Sequence, residues 1–170
     1  TKKKAKVTVV YTAAATDAPA SEVSEITISE GLPTAALTTA TELAKTAPTV
    51  TGGTASAISW YEGTSATEFG ETALAGTTVT KDKYYKAEFD VTLTGENATF
   101  ATTVTGSVTS MGTGVATVTV TPDSTDTTKK KAKITVVYTA AATDGGSSSG
   151  DQQGDSGEAA NEEQKEAPEA

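Results

Sequence analysis

Apolar and polar residues alternate along much of the chain with the two-residue period of strands that bury one face. The clearest run is Tyr84 to Thr94. Tyr85, Ala87, Phe89, Val91 and Leu93 fall on one side of an extended chain, with Tyr84, Lys86, Glu88, Asp90, Thr92 and Thr94 on the other. This pattern predicts a strand with one face on a core and one on water. Shorter stretches repeat it at Val23 to Ser29, Ser56 to Tyr61, Phe100 to Val104 and Ala116 to Val120. Ile58 and Trp60 share a face, so Trp60 is expected inside and Tyr61 outside. Gly52-Gly53, Gly95-Glu96-Asn97 and Pro122 to Asp126 carry the residues of turns. Glu62 to Thr80 reads as loops and short edge strands, and Gly106 to Gly114 as loop. From Thr34 to Thr51 two readings stand. Leu37, Ala40, Leu43 and Ala44 have helical spacing, whereas abundant Thr and the closing Pro48 favour strand and loop.

One alternating stretch occurs twice. Thr1 to Asp17 recurs as Thr128 to Asp144, an offset of 127 residues, with Ile134 in place of Val7 as the only change. That spacing suits a whole domain rather than a small solenoid repeat. In the second copy Ala132, Ile134, Val136 and Tyr138 lie on one face and Lys133, Thr135 and Val137 on the other. The organisation that follows is 1–17 as the terminal strand of a preceding repeat or a donor strand, 18–144 as one module, and 145–170 as an acidic linker. As a donor, the first copy would present Lys4, Val7, Val9 and Tyr11 to the place the second copy occupies. Self-association by strand exchange is the sharper of two readings, because an unpaired strand is a template for addition; the plainer one makes residues 1–17 the frayed end of the preceding module.

The chain has 170 residues, 36% of them hydrophobic, and no Cys, enough for one modest core without covalent staples. All 13 basic residues are Lys, and His is absent as well as Arg. Ser–His–Asp and Cys–His nucleophiles and His- or thiolate-based metal sites are therefore excluded. A net charge of −9 without Arg also opposes nucleic-acid binding. From Gly145 onward seven acids face the single Lys165, which leaves the body close to neutral. That tail is rich in Gly, Ser, Gln and Glu without apolar period and is expected to be disordered. No stretch approaches the ~20 apolar residues of a membrane span, so no membrane insertion is expected. Thr is abundant, and its branched Cβ fits a pleated surface. Short strands separated by turn residues about every 8–12 positions indicate an all-β fold, an immunoglobulin-like antiparallel β-sandwich with a disordered C-terminal tail.

The body from about Val23 to Asp144 also resembles a known family. Ile58-Ser59-Trp60, Phe69, Tyr84 to Leu93, the Phe100 strand and Ile134 to Tyr138 are similar to the Ig-like tandem repeat modules of bacterial cell-surface proteins, of the Gram-positive, gut Firmicutes type. The resemblance implies a secreted, cell-surface location and a role as spacer, adhesin stalk or glycan-binding module. Antibody-like domains carry a Cys pair around the Trp; this chain has none, so only the architecture carries over.

Exposed aromatics are the candidate binding residues. Tyr61 and Tyr84 fall on the polar faces of their strands, where a sugar ring can stack its apolar C–H face. The plainer reading is that they fill cross-strand pairs. Glu62, Glu68 and Glu71 cluster in one loop region, and Glu88 and Asp90 share a strand face. A glycosidase needs two carboxyls across a cleft, whereas these read as solvated surface charge. They lack the spacing of a calcium loop, so neither metal nor other cofactor is expected. A Lys–Asn cross-link of the kind found in some stalk domains would have Asn97 alone to use, and it sits in a turn. The expected function is a non-catalytic, extracellular structural or adhesive module of a repetitive bacterial surface protein. The alternative is a carbohydrate-binding module of a polysaccharide-attachment or degradation system, with a polysaccharide or host glycan as partner.

Overall fold

A computed structural model of the chain describes residues 6–13 and 18–143. Among them stand eight strands and no helix: β1 (Ser21–Glu30), β2 (Thr49–Val50), β3 (Gly53–Ala55), β4 (Ser59–Gly63), β5 (Tyr84–Leu93), β6 (Ala98–Val108), β7 (Val115–Pro122) and β8 (Lys131–Tyr138). The protein is all-β. Among the described residues no helix is long and apolar enough to cross a membrane. Lys4 and the acidic tail expected to be disordered lie outside the described residues.

The alternation of β5 is realised residue by residue. Tyr85, Ala87, Phe89, Val91 and Leu93 are buried, and the residues between them face outward. β8 lies antiparallel to β5, with Phe89 opposite Ile134 and Ala87 opposite Val136, and antiparallel to β7, with Val120 opposite Ile134. The repeated strand is thus central, paired on both edges, and its Ile134, Val136 and Tyr138 have no solvent exposure. Each such side chain stabilises by roughly 1.5–3 kcal/mol on burial. Trp60 on β4 is also fully buried and meets the Tyr138 ring at 5.6 Å. Its indole N–H donates to the Ala44 carbonyl at 2.7 Å, and the Tyr138 hydroxyl donates to the Pro33 carbonyl at 3.0 Å.

The strands follow the order β2-β1-β6-β7-β8-β5-β3, with β4 also on β5. Thr51 and Gly52 connect the two ends of this path: the Thr51 N–H donates to the Thr27 carbonyl in β1, and the Gly52 carbonyl accepts from the Thr94 N–H after β5. The sheet nearly closes on itself. It is also mixed, where the sequence led us to expect antiparallel pairing throughout. β1 runs parallel to β6 from Ser21↔Ala98 to Ile28↔Val108, with a register break between Val23 and Glu25. Alternation dictates which face of a strand is buried, but it carries no information about direction or neighbour. That parallel ladder also explains why β6 runs on to Val108 through residues that read as loop: Val108 is buried, and Glu25 to Ile28 supply partners for its last turn of chain.

β6 and β7 share one register pair, Thr105 with Thr119. At Gly106 an added Cβ would stand 2.6 Å from Val118 Cγ1 and 2.8 Å from Val120 Cγ2. Gly106 thus leaves room for the Val118 and Val120 side chains of the neighbouring strand.

The undecided stretch after Pro33 settles as irregular chain. Thr38 and Thr41 hydroxyls capture the amides of Ala40 and Thr38, an alternative to helical bonding that Thr and Ser offer the backbone. Leu32, Leu37 and Leu43 are nonetheless buried, and Thr38 bridges to Ala142.

Ser21 and Ala142 sit at opposite poles of the fold. Ser21 donates to Asn97 in the β5–β6 turn, at the pole where Leu93 donates to Lys130. After β8, Ala141 donates to Lys83 beside the start of β5, and Ala142 to Leu37. β5, with its 10 residues, separates these poles by about 30 Å at roughly 3.3 Å per residue.

Candidate functional site

Pairing of β4 with β5 decides what shares the outer face. Tyr61 lies opposite Lys86, Gly63 opposite Tyr84 and Ser59 opposite Glu88. Both candidate tyrosines therefore emerge on one face, diagonal to each other across two register rows, a placement that leaves side chains within reach. Both are half-buried.

The surface of Tyr61 is already engaged. The Lys86 ammonium stands 4.6 Å from its ring centroid and 5.3 Å from that of Phe69. The same ammonium is 2.8 Å from Glu88 Oε1, and Glu88 Oε2 reaches Lys133 at 4.0 Å. Cation–π contacts and exposed ion pairs are each worth up to about 1 kcal/mol, so the cluster is a modest but directed surface network. Phe69 arrives because Gly63 leaves room: a Cβ at Gly63 would stand 2.7 Å from Phe69 Cδ1 and overlap the Glu68 carbonyl oxygen. The resemblance rested in part on Phe69. In the fold it lies half-buried on this outer face, and Gly63 was the sequence signal that could have placed it. Beside Tyr61 is a notch of about 100 Å³ lined in part by Ser59, Glu88, Asp90 and Lys133. Ligand pockets usually span about 300–1,000 Å³, so the notch suits a single group rather than a ring.

The acids do not converge. Glu62 accepts the Tyr85 hydroxyl at 2.9 Å and lies 3.9 Å from Lys83. Burial pushes the Tyr85 phenol above its ordinary range; the Glu62 carboxylate adds to the rise, and the Thr80 N–H opposes it. Glu68 accepts from Thr64 at 3.4 Å, and Glu71 is exposed. Among the described residues no group of three or more acids could hold a metal ion. Asn97 is exposed in its turn, and Lys45 gives its ammonium to the Leu74 and Ala75 carbonyls at 2.6 and 2.7 Å.

A second cluster escaped the sequence reading. At the start of β8, Asp126 accepts from the Thr128 N–H and hydroxyl through one oxygen and from the Lys130 and Lys131 amides through the other. The Thr128 hydroxyl is the foremost cause that holds its carboxyl down to about 2. Asp123 does the same for Thr125, whose hydroxyl lowers it. These turns fasten the entrance to β8.

Among the described residues, the strand-exchange candidates Val7, Val9 and Tyr11 belong to no strand pair. Val7, Val9 and Tyr11 are 82%, 62% and 87% exposed and lie outside every strand, while the place between β5 and β7 is filled by β8. Lys4 is outside the described residues.

No protein family, curated protein or solved structure matches the chain.

Proposed function

We propose that residues 18–143 form a non-catalytic spacer module, structural or adhesive, of a repetitive extracellular protein on a bacterial surface, with an immunoglobulin-like two-layer architecture. The observation that carries the reading is the placement of Ser21 and Ala142 at opposite poles. Tension applied through the chain then enters at Ser21 and leaves beyond Tyr138, along the strands. Ladder hydrogen bonds run across the strands, perpendicular in the antiparallel pairs and slanted in the parallel β1–β6 pair, so this load shears many of them together instead of opening them singly. The single β6–β7 register pair is the place where the path would divide into two facing layers, β2-β1-β6 over β7-β8-β5. The abundance of Thr and the absence of Cys suit an exposed β module.

Single-molecule pulling tests the reading. The chain has no Cys, so paired Cys handles are unambiguous. Handles at Ala18 and Thr143 should give an unfolding force several-fold higher than handles at Ser21 and Glu96, which peel β1 from β6 at its start. Equal forces would remove the mechanical reading.

The placement of Tyr61 and Tyr84 on one face favours a second reading, a carbohydrate-binding module. Against it stands Lys86, which a stacking sugar must displace from the Tyr61 ring. Affinity electrophoresis on starch, cellulose and mucin glycans separates the two: retardation abolished by Tyr61→Ala establishes the second reading, and none is expected.

A further inference from the structure

Four of the exposed large apolar side chains, Val7, Val9, Val10 and Tyr11, belong to the segment that duplicates β8. Their counterparts Ile134, Val136, Val137 and Tyr138 are all buried. A strand that would bury four large side chains between β5 and β7 is thus present without a β5 and a β7 of its own. We infer that residues 6–13 belong to the closing strand of a second copy of the 18–127 body, held between that copy's β5 and β7, and that the two modules stand end to end. This rests on the spacer reading and goes beyond it by naming the partner and the surface.

The complement is specified position by position. Val9 corresponds to Val136, between Ala87 and Val118, and Tyr11 to Tyr138, against Trp60. Val7 stands where Ile134 meets Phe89 and Val120, one methylene smaller. Asp126, which fastens the start of β8, lies just ahead of the duplicated segment and belongs to the body that supplies the slot.

Exchange between two separate chains is the weaker alternative. Each chain has one slot and two strands, so one strand stays exposed in any swap, and the incoming Val7 fills less space than the resident Ile134. No apolar burial is gained to offset the lost tethering of β8.

The geometry of the pair follows from chain length. Ala15 corresponds to Ala142, whose backbone is bonded to Leu37 and Thr39 at the far pole. Ser21 is bonded to Asn97 at the near pole of the next module. The six steps from Ala15 to Ser21 span about 20 Å at most, less than the length of one module. The loops around Thr38, Lys83 and Gly114 of one copy must therefore face the turns around Glu96 and Asp123 of the next.

The experiment compares this chain with a longer one in which a further copy of residues 18–127 precedes Thr1. Hydrogen exchange at the amides of Val7 to Tyr11 is the readout. In the longer chain these amides should slow by at least a thousand-fold, to match Ile134 to Tyr138; unchanged exchange overturns the inference. Val9→Asp in the longer chain should unfold the first module and spare the second, whereas Thr8→Asp, on the outward face, should leave both folded. In the present chain Val9→Asp should leave the Tm unaltered. A fall of several degrees there, or concentration-dependent association lost on deleting residues 1–17, would show that the segment is used otherwise. Glycan retardation would defeat the spacer reading alone and leave the strand pairing untouched.

Discussion

Replacing Ile134 by Val makes β8 identical to the first copy of the strand, and so asks whether the place between β5 and β7 accepts that sequence. Ile134 has no solvent exposure and sits directly between Phe89 and Val120. Removing its terminal methyl loses about 0.8 kcal/mol of transfer free energy. Incomplete collapse of the gap brings the expected loss to about 0.5–1.5 kcal/mol. Because Trp60 is the sole tryptophan, is buried and touches the Tyr138 ring of the same strand, its fluorescence reports the slot directly. Urea unfolding followed at Trp60 should show a midpoint lower by about 0.5–1 M with an unaltered slope. In thermal unfolding the same loss is about 3–5 °C for a domain of this size. A loss above about 2.5 kcal/mol, or a changed slope, would mean that the slot discriminates Ile from Val strongly. The first copy would then not be an equivalent strand, and the end-to-end arrangement would lose its basis.

Three other outcomes are expected. The Asp126 carboxyl is held down to about 2 from an ordinary 3.8, so its contribution is complete above about pH 4 and lost as the pH falls through about 2; Asp126→Asn should flatten the acid limb of a Tm-versus-pH curve in that window, and an unchanged limb would count against the Thr128 and Lys130 bonds. Burial pushes Tyr138 well above its ordinary value of 10, so the neutral phenol stabilises fully below pH 10 and the benefit is lost as the pH rises beyond it. Tyr138→Phe should cost about 1 kcal/mol near neutrality through the missing bond to Pro33 and should make unfolding less steep above pH 10, as read by circular dichroism. Gly63→Ala, whose Cβ meets Phe69 and Glu68, should cost about 1–3 kcal/mol and displace Phe69 from Lys86, visible as altered Phe69 ring shifts in NMR spectra.

The sequence by itself determined the faces of the strands. The two-residue period placed alternate residues from Tyr85 to Leu93, and Ile134, Val136 and Tyr138, inward and Tyr61 and Tyr84 outward, because burial of alternate side chains is a local property written in residue type; Val137, assigned to the other face of β8, is buried as well. It also disclosed the duplicated strand, which no inspection of a single fold would have revealed. Direction and neighbour were decided only in three dimensions: the parallel union of β1 with β6, the extension of β6 to Val108, and the near closure through Thr51 and Gly52 depend on pairings between residues far apart in the chain. The outer cluster has the same origin. Lys86, Glu88 and Tyr61 were legible as exposed, but Lys86 reaches Phe69 only because a loop residue folds over Gly63. Long-range packing chose the partners, since alternation specifies what must be hidden and leaves open what hides it.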